Sequence, residues 1–426
     1  MIISTDENMV LTDKGVKGII AIVAIICLLI GIGIGWYVKP SPPPPKPTLI
    51  VIGPYSGDEM KAFTPVLKAA EEELGIEIEY RIYRAEELST ILPSHFAAGM
   101  APGDVILFCH PVTIRKLAAE GHLIDLSEVI DRSKYPKAIL DAVSVNGRVY
   151  GAPWVANLKP GLWYRKSFFA KHGLKEPKNW REFIDLLNKM REVIGRDDVI
   201  ASPDSEGWPL SDIAEHFILY SAGLEAFENL KTGKTRFTDP EIKSALKDTL
   251  IWLIENGYFS EPEDWTTIME KWWNGEYGLY FMGDWVLTMV KDPEDLDLII
   301  LTTFDDSASK AITACFPDFI IVPKYTKHPE LAVKLAAFLA SAKAQLVRVK
   351  EGGCVATHKD VPPDAYPAST KRLAERVKGL EIVFDLDDTV GGEFQTAFWD
   401  QLKRLWVEPE AYEEVLAKIE EKQPRP

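Results

Sequence analysis

The sequence predicts an α/β protein of two lobes whose connecting segments cross between them, preceded by one N-terminal transmembrane helix. Three observations predict this. Residues 48 to 108 read as strand, helix, strand, helix, strand. The rest of the chain then runs through helical, α/β and helical stretches, as expected if two lobes exchange the chain more than once. Between them, NGRVYGAPWVANLKPGLWYRK, Asn146 to Lys166, fits neither a regular helix nor a simple loop. It opens on an Asn-Gly turn, continues in extended-favouring residues and is broken by Pro153 and Pro160. This stretch is read as the crossing between lobes, with Trp154 beside a wet crevice.

Length and charge bound the reading. At 426 residues the chain is too long for one ordinary core. Its formal charge of -16 argues against nucleic acid, which requires a basic field. Cysteines stand at 27, 109, 315 and 354, with no CxxC pair and no metal-ligand spacing, so neither a metal nor a cofactor is expected, and a disulfide among the last three stays open.

The elements follow in order. Gly18 to Val38 contains 21 residues without a charge, long enough to span a bilayer at about 1.5 Å per residue. Residues 1–17 form a short terminus before this anchor, 18–38. Next, 39–48 is a proline-rich segment, read as a polyproline II stalk of about 30 Å. Thr48 to Gly53 is a β-rich run, Glu59 to Leu74 has helical periodicity closed by Gly75, and Ile76 to Ile82 alternates. Glu86 to Ala98 is helical, and DVILF, Asp104 to Phe108, suits a strand buried on both faces. Parallel strands bind ligands at their carboxyl ends, which nominates the loops with Tyr55, Ser56 and His110.

Further on, Asn179 and Glu182 form a capping-box start for a helix from Trp180 to Val193. A helix is expected from Ile213, with Asp212 and Glu215 as its cap. Asp284 is expected to cap a helix beginning at Trp285. Phe316 and Asp318 precede a returning strand, Phe319 to Val322, and Phe398 and Trp399 sit in a helical pattern that runs on to Glu421.

Seven segments in this order resemble the extracellular solute-binding proteins of ABC importers, the family that includes maltose-binding proteins. They are VLKAAEEELGIEIEY from Val66, AAGMAPGDVILF from Ala97, GHLIDLSEVI from Gly121, NGRVYGAPW from Asn146, WYRKSFFAKHGLKEPKNWREF from Trp163, WWNGEYGLYFMGDW from Trp272 and VPKYTKHPELAVKLAAFLASAKAQ from Val322. Gly103 departs from the family's Pro-Asp step. The resemblance implies a two-lobe periplasmic-binding-protein-like fold closing on a solute, a domain outside the cell and importer permease subunits as partners. It implies lobes of 49–155 with 309–352 and of 156–308 with 353–426. By position it implies ligand contacts at Phe108, His110, Asn157 and Trp208, and sugar-stacking rings at Trp285 and Trp399.

Sugar rings stack their C–H faces on flat aromatics and need fixed polar partners for their hydroxyls. That chemistry favours a carbohydrate ligand and adds Asp284 beside Trp285. The candidate ligand-binding set is thus Tyr55, Ser56, Phe108, His110, Trp154, Asn157, Trp208, Asp284, Trp285, Phe316, Asp318 and Trp399. No HExxH, GxSxG or P-loop is present, so no enzymatic activity is expected. A glycoside hydrolase with two carboxylates across a sugar cleft, and a polysaccharide-binding module, stand as the alternatives.

Overall fold

The structure, a computed structural model, describes residues 13–37, 45–204, 207–304 and 310–426. It divides into an N-terminal unit, Met1–Lys46, and a unit spanning Pro47–Pro426. The N-terminal unit contains one helix, Asp13–Tyr37. Apart from Lys14 and Lys17, most of its described side chains are exposed and apolar, among them Ile19, Ile22, Ile26 and Leu29. Side chains of residues 31–37 lie outside the described set, and among the described residues no helix is long and apolar enough to cross a membrane. Most of the expected stalk, through Pro44, and the terminus before Asp13 also lie outside it.

The large unit has a mixed α/β two-lobe architecture. In the first lobe a five-stranded sheet runs in the order Glu77–Ile82, Thr48–Gly53, Val105–Phe108, Phe319–Ile321, Ala152–Pro153. The first three strands are parallel. Phe319–Ile321 returns from far along the chain and pairs antiparallel with both neighbours. Every residue of Val105–Phe108 is buried, as its unbroken apolar run requires. Helices Gly57–Leu74 and Ala85–Ala97 begin at, or within two residues of, their expected starts. Gly103 packs where a Cβ would stand 2.8 Å from Ile52 Cγ1, and Asp104 beside it accepts from the Ile50 amide at 2.8 Å.

In the second lobe four strands run in the order Ile200–Ala201, Leu279–Phe281, Leu162–Arg165, Leu296–Ile299. Trp163 and Tyr164 are buried in this sheet. Asn179 caps the helix Trp180–Ile194 as expected, its Oδ1 accepting from the Glu182 amide at 2.9 Å, while the Glu182 carboxylate accepts from the Asn179 side-chain amide and the Lys178 backbone N–H rather than from the Asn179 backbone. A third, small sheet joins Glu381–Phe384, Ala311–Ala314 and Leu158–Lys159. Two of its strands lie in the segments that carry the chain from one sheet to the other, so the crossovers are hydrogen-bonded to each other.

Two local expectations fail. The helix expected from Ile213 begins earlier and spans Trp208–Ser221. Gly207, at φ 100, turns the chain into it and Pro209 is tolerated in its first turn. Asp212 and Glu215 therefore sit inside the helix, fully buried, rather than capping it. Asp284 caps nothing: the short helix Val286–Met289 starts without a side-chain cap, and the Asp284 carboxylate turns away to Asn157.

Candidate functional site

A cavity of about 290 Å³ lies where the loops of both lobes meet. From the first lobe it receives the segments that follow the three parallel strands: Tyr55, Ser56 and Glu59 after the first, Arg84 after the second, Cys109 and His110 after the third. This is the carboxyl edge of a parallel sheet. The crossovers contribute Asn157, Lys159, Cys315, Phe316 and Asp318. The second lobe contributes Trp208, Trp265, Trp285 and Trp399, with Asp387 and Asp388.

Three of these indoles form one cluster. Trp208 lies 6.0 Å from Trp265 and 5.8 Å from Trp285, centroid to centroid. Each ring comes from the first turn or entry of a separate helix, where backbone direction changes and a large side chain can project into a cleft. Trp399 enters from the helix Gly392–Val407 and donates its indole N–H to Asp387 Oδ2 at 2.6 Å. That approach requires Gly207, since a Cβ there would stand 2.6 Å from Trp399 Cβ. Phe316 is stacked on Phe384 at 4.0 Å.

Carboxylates surround the rings. Tyr55 donates its hydroxyl to Asp318, whose own carboxyl is pushed up to about 6 by burial. Burial likewise raises Glu59 to about 7. Lys159 is buried on the crossover strand and reaches Asp212 at 2.5 Å and Asp385 at 2.7 Å. Burial opposes its charge, but the Asp212, Asp385 and Asp387 carboxylates outweigh this and hold it well above the usual lysine range. Glu215 accepts from the backbone N–H groups of Leu386 and Asp387, fixing the acidic turn against the cavity. His110 shares a hydrogen bond with Ser89 at 2.8 Å, and burial lowers it to about 4, so the imidazole is neutral.

Nine of the expected residues line the cavity: Tyr55, Ser56, His110, Asn157, Trp208, Trp285, Phe316, Asp318 and Trp399. The other three lie behind it. Phe108 is buried in the sheet with its ring 5.0 Å from His110. Trp154, between the short strands Ala152–Pro153 and Val155–Ala156, is fully buried and packs edge-on to Phe63 at 5.8 Å, in the first core rather than in the crevice. Asp284 is fully buried and holds Asn157 Nδ2 at 2.8 Å and the Leu158 amide at 3.2 Å, so it positions the crossover from beneath. Lys159, Glu59, Trp265, Asp387 and Asp388 were not expected. The run Asp385-Leu386-Asp387-Asp388 reads as a solvated acidic turn, and only Trp265, directly after a capping Asp264, carries a local signal. Among the described residues, the cysteines at 109, 315 and 354 form no disulfide.

A two-lobed α/β fold with a cleft of aromatic rings and carboxylates at the crossovers defines a solute receptor. Residues 53–346 match the model of the bacterial extracellular solute-binding proteins, and the chain belongs to that family. An uncharacterised ABC transporter extracellular-binding protein of Pyrococcus horikoshii is 47% identical over 379 residues, 89% of each chain. The osmoprotective compounds-binding protein of Synechocystis is 25% identical over 374 residues, 82% of this chain and 86% of its own. Among solved structures, a bacterial solute receptor reported to prefer β-D-galactopyranose superposes with a TM-score of 0.78 at 19% identity, covering 88% of this chain and 98% of that one. A chitin oligosaccharide binding protein superposes with a TM-score of 0.73, also at 19% identity, over 88% of this chain and 98% of its own. The protein is accordingly an extracellular solute receptor of an ABC transporter and not an enzyme.

Proposed function

We propose that the cavity binds a carbohydrate, of disaccharide size or larger, and that the loaded receptor delivers it to the permease of an ABC importer. The observation that carries this reading is the combination of four tryptophans with interleaved carboxylates in one cleft. Indole faces match the C–H faces of pyranose rings, and Asp318, Asp387, Asp388 and the side-chain oxygen of Asn157, whose amide N–H groups are held by Asp284 and Gly353, supply acceptors for hydroxyls. Tyr55, Ser56, His110, Trp208, Trp285, Phe316 and Trp399 complete the contact surface, while Phe108, Trp154 and Asp284 support it from behind. Ligand closure of the two lobes, 49–155 with 309–352 and 156–308 with 353–426, would present both to the permease, and ATP hydrolysis belongs to a separate subunit.

The N-terminal helix is proposed as a single-pass anchor that leaves the binding unit outside the cell. What supports this is the uncharged stretch Gly18 to Val38, 21 residues that as a helix would reach about 31 Å, against the roughly 30 Å of a bilayer core. Alkaline carbonate washing of cell membranes tests this: retention of the full chain supports the anchor, and complete release refutes it.

A thermal-shift screen across neutral mono-, di- and oligosaccharides tests the carbohydrate reading, since a ligand of the native state raises the melting temperature by mass action. The full chain is held in a sugar-free detergent, because maltosides are themselves saccharides. A rise with at least one saccharide is expected. No rise with any of them, alongside a rise with amino acids or osmolytes, would overturn it.

A further inference from the structure

A second cavity of about 670 Å³ adjoins the first. Its character differs. Apart from His110, which lines both, it contains no aromatic ring and presents hydroxyls and amides: Ser89 and Thr113 from the first lobe, Gln395, Thr396 and Gln401 from the second. Its charges are largely matched in pairs, Lys422 with Glu393 at 2.6 Å and Lys418 with Glu421 at 2.8 Å. A groove of paired charges and neutral hydrogen-bonding groups suits an uncharged polyhydroxylated ligand better than an ionic one.

The two cavities share a wall and a helix. His110 is the shared wall: its Nδ1 meets Ser89 Oγ at 2.8 Å, and its Nε2 lies 3.9 Å from Asp388 Oδ1. Being neutral, the imidazole forms no ion pair with Asp388, so no strong electrostatic tie holds the ring on that side. The shared helix is Gly392–Val407. Trp399 projects from it into the aromatic cavity, while Thr396 and Asp400, one turn apart on a neighbouring face, line the groove. On the same helix Gln401 Oε1 is buried and accepts no hydrogen bond among the described residues, although buried amide oxygens are ordinarily satisfied. The aromatic cavity alone lies at the lower end of the roughly 300–1,000 Å³ typical of ligand pockets.

We propose that the groove beyond His110 is an extension subsite, and that the receptor takes linear oligosaccharides of three or more units. One end of such a ligand stacks in the tryptophan cavity, and the chain runs past the imidazole to be hydrogen-bonded by Thr113, Gln395, Thr396 and Gln401. This rests on the carbohydrate reading of the first cavity and specifies its ligand length.

The test is calorimetry on the full chain in sugar-free detergent, with ladders of two to five units in the β-1,4-glucose, α-1,4-glucose and β-1,4-N-acetylglucosamine series. Affinity is expected to rise at least tenfold between the disaccharide and the tri- or tetrasaccharide of one series. Thr396→Trp and, separately, Thr113→Trp fill the groove. Each is expected to abolish that gain while leaving disaccharide affinity, or the thermal shift it produces, within about twofold of the wild type. Longer ligands binding no better than the disaccharide, or a gain that survives both substitutions in folded protein, would refute the subsite and leave the carbohydrate reading standing. Absence of binding at every length in every series would instead remove the carbohydrate reading, and the subsite with it.

Discussion

Trp285 and Trp154 resemble each other in sequence, since each follows a turn and precedes a crossing or a helix, yet they end in different surroundings. Trp285 lines the cavity, whereas Trp154 is sealed in the first core. Their alanine variants should therefore separate two readouts. Trp285→Ala is expected to weaken saccharide binding by about 1–3 kcal/mol, the loss of one stacked ring, with little change in melting temperature. Trp154→Ala is expected to cost about 3–5 kcal/mol of stability, measured by denaturant titration, by opening a cavity in the core. Affinity unchanged in the first variant would take Trp285 out of the site.

Asp284 shows the same division between chemistry and position. Burial pushes its carboxyl up to about 7 in spite of the hydrogen bonds from Asn157 and Leu158 and the field of Arg348. The folded state thus holds this proton more tightly than the unfolded chain, where the group titrates near 4. Its contribution to stability is fully present below about pH 4 and is lost as pH rises through about 7. Between pH 5 and pH 8 the wild type should lose roughly 2–3 kcal/mol that Asp284→Asn does not lose. Parallel pH dependence of the two proteins in denaturant melts would show that the carboxyl stays ionised in the fold.

Among elements, the entry to helix Trp208–Ser221 is the most constrained. Gly207 combines a left-handed φ of 100 with a contact in which a Cβ would stand 2.6 Å from Trp399 Cβ. Gly207→Ala must both adopt a backbone that L-residues avoid and push the Trp399 helix away. A stability loss of about 1–3 kcal/mol is expected, together with weakened ligand binding, because Trp208 and Trp399 both move. A melting temperature equal to that of the wild type would contradict this. The same helix shows what local pattern misses. Its start was expected at Ile213 because apolar periodicity is clear only from there, while a glycine turn and a proline in the first turn extend it back to the ring that matters.

The whole molecule separates a binding unit from its N-terminal helix. The Pro47–Pro426 unit has its own cores in both lobes. A chain beginning at Pro47 is expected to be released from membranes, to unfold at the full chain's melting temperature within about 2 °C, an offset below about 1 kcal/mol for a unit of this size, and to keep its saccharide affinity. Loss of cooperative unfolding on truncation would mean that the segment contributes to the fold.

The sequence by itself determined the two-lobe α/β class, the buried strand Val105–Phe108, the capped helix at Trp180 and nine residues of the cleft. These follow from periodicity, capping and parallel-strand loops, which are local signals, and from seven segments in a family's order. Tertiary structure alone decided which tryptophans face the cleft, where the Asp284 carboxylate points, and that Lys159 lies between Asp212 and Asp385, partners 53 and 226 residues away along the chain. It also decided that His110 lines both an aromatic and a polar cavity. The reason is physical: a side chain's direction follows from the register of its element, but its surroundings depend on segments folded back from a distance. No local pattern carries that information.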